Sequence, residues 1–278
     1  MTRIAILTPA TGYHEDWSTP AGHYRGLLGD ALEFRPWTDP GDLSGCALVL
    51  PLLAWGYQRA PADWYAALDS WADLPCANGV EVLRWNTDKG YLADLEAAGV
   101  AIVPTRVTDA LSDADLAAAR AAWGAGALVV KPAISGGADG TYRLAAGDAV
   151  PADVAGQRML VQPLMPAIAS EGEYSLFLFD GRFSHAILKR PAQGDFRVQE
   201  QFGGTEIAID APAPALALAR AAIDAAPARP LYARVDMVRD EAGDFRLMEL
   251  ELIEPSLFLQ FAGDGGKMFA EAVKQAAV

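Results

Sequence analysis

The chain begins with a short unbroken apolar run, Ile4–Leu7, and carries another at Val49–Leu53. Apolar runs of this length, bounded by polar and turn residues, read as buried strands. Between Ala60 and Trp71 the rhythm changes, and Trp64, Leu68 and Trp71 fall on one face of a helix. Strand and helix in alternation predict an open, largely parallel α/β sheet for the first third. The loop Thr11–Asp16 leaves the first strand at its carboxyl end, where ligands of such sheets sit. A plain surface loop has the same composition, and that is the simpler reading of His14, Glu15 and Asp16.

The segment from Leu74 to Trp85 reads as a crossing into a second region. Thr87 or Asp88 can cap a helix running to about Ala98, with Gly99 as its stop. Val100 to Thr105 is predicted extended, and Asp109 to Trp123 is an Ala-rich helix. From Ala127 onward strand signals dominate: Leu128–Lys131, Thr141–Leu144, Met159–Gln162, Tyr174–Phe179, Arg182–Lys189, Leu231–Val238 and Phe245–Ile253. Helical patterns interrupt them at Pro214–Ala226 and Gly266–Ala276. This second texture is α+β with antiparallel sheets.

Composition narrows the functions on offer. A chain of 278 residues suggests two domains, and 52% hydrophobic residues supply ample core. Lys and Arg total 22 against 36 Asp and Glu, a net charge of −14. That excludes a general nucleic-acid binder, which needs a basic face. A compact polyanion would have to be met by placed cations or a metal. Two cysteines, Cys46 and Cys76, make neither a disulfide scaffold nor a four-Cys zinc site and read as ordinary buried thiols. No apolar run approaches the roughly 20 residues that span a bilayer. The opening strand is too short for a signal-peptide core, so a cytoplasmic protein without membrane partners is expected.

The richest chemistry lies in the predicted hairpin of Tyr232–Val238 and Phe245–Ile253. Strand side chains alternate, so Arg234 and Asp236 share one face, and so do Glu249 and Glu251. A four-residue loop, Glu241–Asp244, sets Asp240 opposite Phe245 and Asp236 opposite Glu249. Three carboxylates then crowd one side. Like charges directly opposite destabilise a hairpin, and burying them is costly unless they are compensated. A hard divalent cation such as magnesium compensates them and bridges carboxylates to nucleotide phosphates. The alternative is a solvated face with Arg234 as partial partner; the nearly all-apolar opposite face favours a covered strand and the metal.

A second feature is Leu128–Lys131, then Pro132-Ala133-Ile134-Ser135-Gly136-Gly137-Ala138-Asp139-Gly140, then a strand from Thr141. Glycines let backbone N–H groups approach an anion. A Walker A loop puts Lys after its glycines, and a dinucleotide fingerprint needs a following helix. Neither fits. A hairpin flap with a lysine at its base remains, suited to cover phosphates or to form a flexible tip.

Together these motifs resemble the ATP-grasp superfamily of ATP-dependent carboxylate–amine ligases, over roughly residues 84–260. The likeness is greatest to the glutathione synthetase branch and the related cyclo-ligase that forms cycloserine. The resemblance implies an N-terminal α/β pre-grasp domain, residues 1–85. An ATP-grasp domain, residues 86–278, would follow, with a flexible lid at about 106–165. Asn86-Thr87-Asp88-Lys89 resembles the first lysine segment and nominates Lys89 for phosphate contact. Lys131 with Ser135, Gly136 and Gly137 resembles the second lysine and its flap. Met159–Pro163 resembles the adenine edge, through Gln162, and Glu173 sits where a nucleotide-contacting acid is expected. Phe183–Pro191 and the following loop nominate Lys189 for phosphate and Arg197 for the substrate or acyl phosphate. Asp236, Glu249 and Glu251 resemble the magnesium ligands.

Two positions depart from the family. Ser175 stands where glutathione synthetases carry arginine, and Glu251 where the third ligand is often asparagine. His185 is expected to be a satisfied sheet histidine, and Trp55, Trp64, Trp71 and Trp123 packing residues.

The resemblance implies an ADP-forming ligase using ATP and two magnesium ions. It would activate a small carboxylate or amino-acid-like substrate as an acyl phosphate for attack by an amine. A homodimer or homotetramer is the assembly it implies. An intramolecular cyclo-ligase acting on an O-ureido amino acid uses the same residues, as does a nucleotide-binding regulator without turnover. The sequence leaves these open.

Overall fold

The computed structural model describes residues 3–278. Strand β1 (Ile4–Thr8) is buried at every position, as a central parallel strand must be. After it come α1 (Ser18–Leu28), β2 (Leu32–Pro36) and β3 (Leu48–Leu50). The three strands form a parallel sheet in the order β2-β1-β3. β3 stops short of the predicted Leu53 because Pro51 has no N–H to donate. Helix α2 (Pro61–Ser70) opens with proline in its first turn, which presets φ. Trp64 meets Trp37 and Trp71 edge-on at centroid distances of 5.7 and 5.6 Å, so these tryptophans pack the core.

The expected crossing holds a helix, α3 (Val80–Thr87), followed by α4 (Tyr91–Ala97). Thr87 closes α3 rather than opening α4. Its hydroxyl donates to the Leu83 carbonyl at 2.8 Å and accepts from Trp64 Nε1 at 2.9 Å. Asp88 does not cap α4 either: Gly90 is the N-cap of α4, and Asp88 accepts from the Gly90 N–H at 2.7 Å in the turn just before the helix. After β4 (Arg106–Thr108), α5 (Asp113–Trp123) starts later than Asp109 because Ser112 and Asp115 form a capping box. β5 (Leu128–Pro132), β6 (Tyr142–Leu144) and β7 (Met159–Pro163) join β4 in an antiparallel sheet, order β4-β7-β5-β6.

The third sheet is the centre of the molecule. The short α6 (Ala167–Ser170) leads into β8 (Glu173–Phe179), β9 (Arg182–Arg190) and β10 (Thr205–Ile209). Helix α7 (Ala213–Asp224), β11 (Tyr232–Arg239), β12 (Phe245–Glu251) and α8 (Lys267–Ala276) complete the chain. The antiparallel order is β10-β9-β8-β11-β12. One face buries Leu176, Leu178, Val235 and Leu250 against α4 and α7. The other packs Phe177, Phe179 and Tyr232 against the first sheet and α8. The mixed α/β and α+β architecture expected from the sequence is the one observed. Among the described residues no helix is long and apolar enough to cross a membrane.

Candidate active site

The second and third sheets, with loops of the N-terminal region at Tyr13, Glu15 and Trp55–Arg59, line one cavity of about 590 Å³. All the nominated side chains and flap residues line it: Lys89, Lys131, Ser135, Gly136, Gly137, Gln162, Glu173, Lys189, Arg197, Asp236, Glu249 and Glu251.

The carboxylate hairpin reaches the expected pairing by another route. Its turn is five residues, Asp240–Asp244, not four, so Arg239 rather than Asp240 opposes Phe245. A β-bulge between Asp236 and Met237 then absorbs one extra residue of β12, Met248. Asp236 therefore still faces Glu249. Bulges re-aim side chains in this way, often beside active sites.

β12 is an edge strand, yet its outer backbone groups near the carboxylates are paired. The Leu250 N–H donates to Tyr91 Oη at 2.9 Å, and Asn86 Nδ2 donates to the Leu250 carbonyl at 2.7 Å. The Leu252 N–H donates to Asn86 Oδ1 at 2.9 Å, and Asn78 Nδ2 donates to the Leu252 carbonyl at 2.6 Å. The Asn86 amide thus replaces a neighbouring strand and ties β12 to the segment that carries Lys89. No sequence signal marks Asn78, Asn86 or Tyr91 for this work.

Each nominated carboxylate has a cationic partner. Lys131 Nζ donates to Glu249 at 2.6 Å, with Lys89 Nζ 4.0 Å from the same carboxylate. Lys189 donates to Glu173 at 2.9 Å and to Asp236 at 3.4 Å. Arg234 Nε donates to Asp236 at 2.9 Å, and its Nη2 bonds Glu251. Ser175 donates to Asp236. Position 175 lies opposite Asp236 on β8, so the guanidinium absent there comes from Arg234 on β11 instead. Sequence reading placed Arg234 on the right face and treated it only as a partial partner.

The electrostatics follow these contacts. Burial works against the Asp236 carboxylate, yet Arg234 and Lys189 outweigh it and hold the group down at about 2. Glu249 is likewise held at about 2 by Lys131 and Lys89 against burial. Burial raises Glu173 despite Lys189. Burial also pushes Glu251 up to about 7, with Asp236 and Glu249 adding to it over the opposition of Arg234. Glu254, which sequence reading missed, is pushed up to about 8 by burial and by Glu251.

Among the described residues no three acidic or histidine side chains converge into a metal cage of their own. Magnesium does not require one. It is held through one or two carboxylates with phosphate and water completing the shell, and the hard oxygens of Asp236, Glu249 and Glu251 fit that chemistry.

The flap and loops close the cavity. Lys89 Nζ donates to the Ser135 carbonyl, Gln201 Nε2 donates to the Gly137 carbonyl at 3.2 Å, and Arg59 stands 3.7 Å from Asp139. Arg197 lies over the Phe202 ring at 3.6 Å and donates to Asp195 at 2.8 Å. Gln162 donates to Thr105 Oγ1 at 2.8 Å beside an apolar slot of Val103, Met165, Ile168 and Val198. That slot escaped the sequence reading because its residues come from separate segments.

His185 stacks on Phe177 at 4.3 Å and bonds the Leu257 carbonyl at 3.1 Å. It is a satisfied sheet histidine, and burial lowers its pKa. His14 and Asp16 are exposed, while Tyr13, Glu15 and Trp55 reach the cavity wall. Cys46 and Cys76 are free thiols.

No family model matches the chain. The cycloserine biosynthesis protein DcsG of Streptomyces lavendulae is 35% identical over a 305-residue alignment covering 98% of each chain. The crystal structure of the D-cycloserine synthetase DcsG matches with a TM-score of 0.84 and 30% identity over 99% of both chains. A D-alanine–D-alanine ligase from Bacillus anthracis matches with a TM-score of 0.74 and 17% identity, covering 100% of this chain and 97% of that one. The ATP-grasp ligase PsnB, in complex with a precursor variant, Mg and ADP, matches with a TM-score of 0.66 and 17% identity over 99% of this chain and 99% of that one.

Proposed function

The chain belongs to the DcsG family of ATP-grasp ligases, and from that premise we propose that it is an Mg²⁺- and ATP-dependent ligase. Its substrate is a small amino-acid-like carboxylate. A carboxylate oxygen attacks the γ-phosphorus, the bond from that phosphorus to the β–γ bridging oxygen breaks, and an acyl phosphate and ADP result. A nitrogen then attacks the acyl carbon, phosphate leaves, and the nitrogen gives up a proton. The likeness to DcsG along the whole chain favours a nitrogen on the same molecule, so that a ring closes.

The observation that carries this reading is the meeting of three lysines and the paired carboxylates on one cavity wall. Lys89, Lys131 and Lys189 offset phosphate charge, and Arg197 meets the substrate or its acyl phosphate. The backbone of Ser135, Gly136 and Gly137 covers the phosphates. Gln162 marks the edge of the adenine slot, and Glu173 contacts the nucleotide and orients Lys189. Asp236, Glu249 and Glu251 would hold magnesium, two ions in our reading. When bound, magnesium neutralises the phosphate oxygens and orients them for in-line transfer. Closure of the flap and of the Pro191–Arg197 loop keeps water from the acyl phosphate. The sheet from β4 to β7 supports a lid at about 106–165, within a grasp domain of residues 86–278 that follows a pre-grasp domain of residues 1–85.

The test is product analysis with amino-acid and O-ureido amino acid substrates. ADP and inorganic phosphate are expected. AMP and pyrophosphate would exclude the acyl-phosphate route.

A further inference from the structure

Within the cavity, one stretch of wall carries two acceptor groups that have no hydrogen-bond partner among the described residues. Glu254 lines the cavity, three residues beyond Glu251. Among the described residues no hydrogen bond reaches its carboxyl group. The neighbouring carboxylates differ, since Glu173, Asp236, Glu249 and Glu251 each face a lysine or arginine. Gln58 lies on the single turn Tyr57–Arg59, and its side-chain oxygen is buried with no hydrogen-bond partner. Both side chains converge on one point of the flap. A Cβ added to Gly136 would stand 3.6 Å from Gln58 Nε2 and 3.7 Å from Glu254 Oε1.

The Gln58 oxygen is a buried acceptor without a donor, which native proteins rarely keep except where a ligand or water supplies the bond, and the half-buried Glu254 carboxyl group opens onto the cavity beside that amide. Once ionised, the Glu254 carboxylate can only accept, as can the Gln58 amide oxygen, so a group that joins them must donate and, beside a raised carboxyl, is favoured if it carries positive charge. Beside a carboxylate the strongest donor is a cation, and an ammonium offers three N–H bonds that two acceptors can share. The arginine nearest this turn in sequence, Arg59, is directed to Asp139 instead.

We propose that Glu254 and Gln58 form a subsite for the ammonium group of the substrate, making the enzyme selective for a free amino acid over a plain carboxylic acid. The inference rests on the ligase reading and deepens it. An amino acid held here by its amine keeps its carboxylate beside the hairpin that carries Glu249 and Glu251.

The experiment compares O-ureidoserine with its des-amino counterpart, 3-(ureidooxy)propionate, on the full chain. ADP release gives kcat and KM for the wild type, Glu254→Gln and Gln58→Leu. The wild type is expected to prefer the amino form by about 100-fold in kcat/KM. Glu254→Gln should reduce that preference to about threefold, mainly by raising KM for the amino form, with KM for Mg-ATP unchanged. Gln58→Leu, on a separate segment, should raise the same KM by about tenfold. A wild type that uses both forms equally, or a Glu254→Gln that keeps the preference, overturns the subsite. A parallel loss of Mg-ATP affinity in Glu254→Gln overturns it too, since that outcome assigns the carboxylate to the nucleotide end. If the wild type releases no ADP with any amino acid, the ligase reading fails separately. Thermal unfolding with and without O-ureidoserine then decides the subsite alone: a rise in the wild type absent from Glu254→Gln supports it, and any other pattern contradicts it.

Discussion

Glu249 and Glu254 are both acids on the cavity wall, yet their environments pull them in opposite directions. Lys131 and Lys89 hold Glu249 near 2 against burial. Glu254 has no ion-pair partner among the described residues, and burial with the field of Glu251 carries it from 4.5 to about 8 over the opposition of the more distant Arg234 and Lys89. A raised carboxyl stabilises the fold fully below its unfolded value and loses that contribution as pH climbs through the folded value. The free protein is therefore expected to lose stability between about pH 5 and pH 8, measured as a falling unfolding midpoint, and Glu254→Gln is expected to flatten that fall. An unchanged pH profile in the variant would show that Glu254 does not ionise in this window. The identity of these residues was legible where a motif surrounded them, as for Lys131 and Asp236. Glu254 and Gln58 gave no signal, because an unpaired acceptor is a property of three-dimensional surroundings and leaves no spacing in the chain.

At the scale of the element, the carboxylate strand is held from its open side by side chains. Asn86 satisfies the Leu250 carbonyl and the Leu252 N–H with one amide. Asn86→Ala would strand both groups in a buried setting, at a cost of about 1–3 kcal/mol. Denaturant unfolding should show that loss, with kcat/KM falling further than stability alone explains because Lys89 and Glu249 lose their common anchor. A variant with native stability and activity would show that the clamp is dispensable. α3 was hidden from sequence reading for a related reason. Asn86 and Thr87 sit on its buried face, so polar residues break the apolar spacing that marks a helix. β10 escaped because it is an edge strand with exposed positions, and β2 because it is short and ends in proline. The hairpin pairing was legible although the turn length was not. Two changes of one residue, at the turn and at the bulge, cancel before reaching Asp236.

At the scale of the molecule, the net charge of −14 coexists with a cavity wall on which lysines gather. A few placed cations decide what a site attracts at close range, whatever the total charge. The order of textures along the chain, α/β first and antiparallel afterwards, was legible from periodicity. The return of α8 to the first sheet was not, since Phe269 and Val273 pack there through contacts distant in sequence.

In the proposed reaction the substrate carboxylate itself receives the γ-phosphoryl group. Turnover with substrate carrying ¹⁸O in its carboxylate tests this directly, with mass analysis of the phosphorus products. Transfer of one ¹⁸O into inorganic phosphate, alongside ADP, is the predicted result. Inorganic phosphate free of the label, or label recovered in AMP, would contradict it.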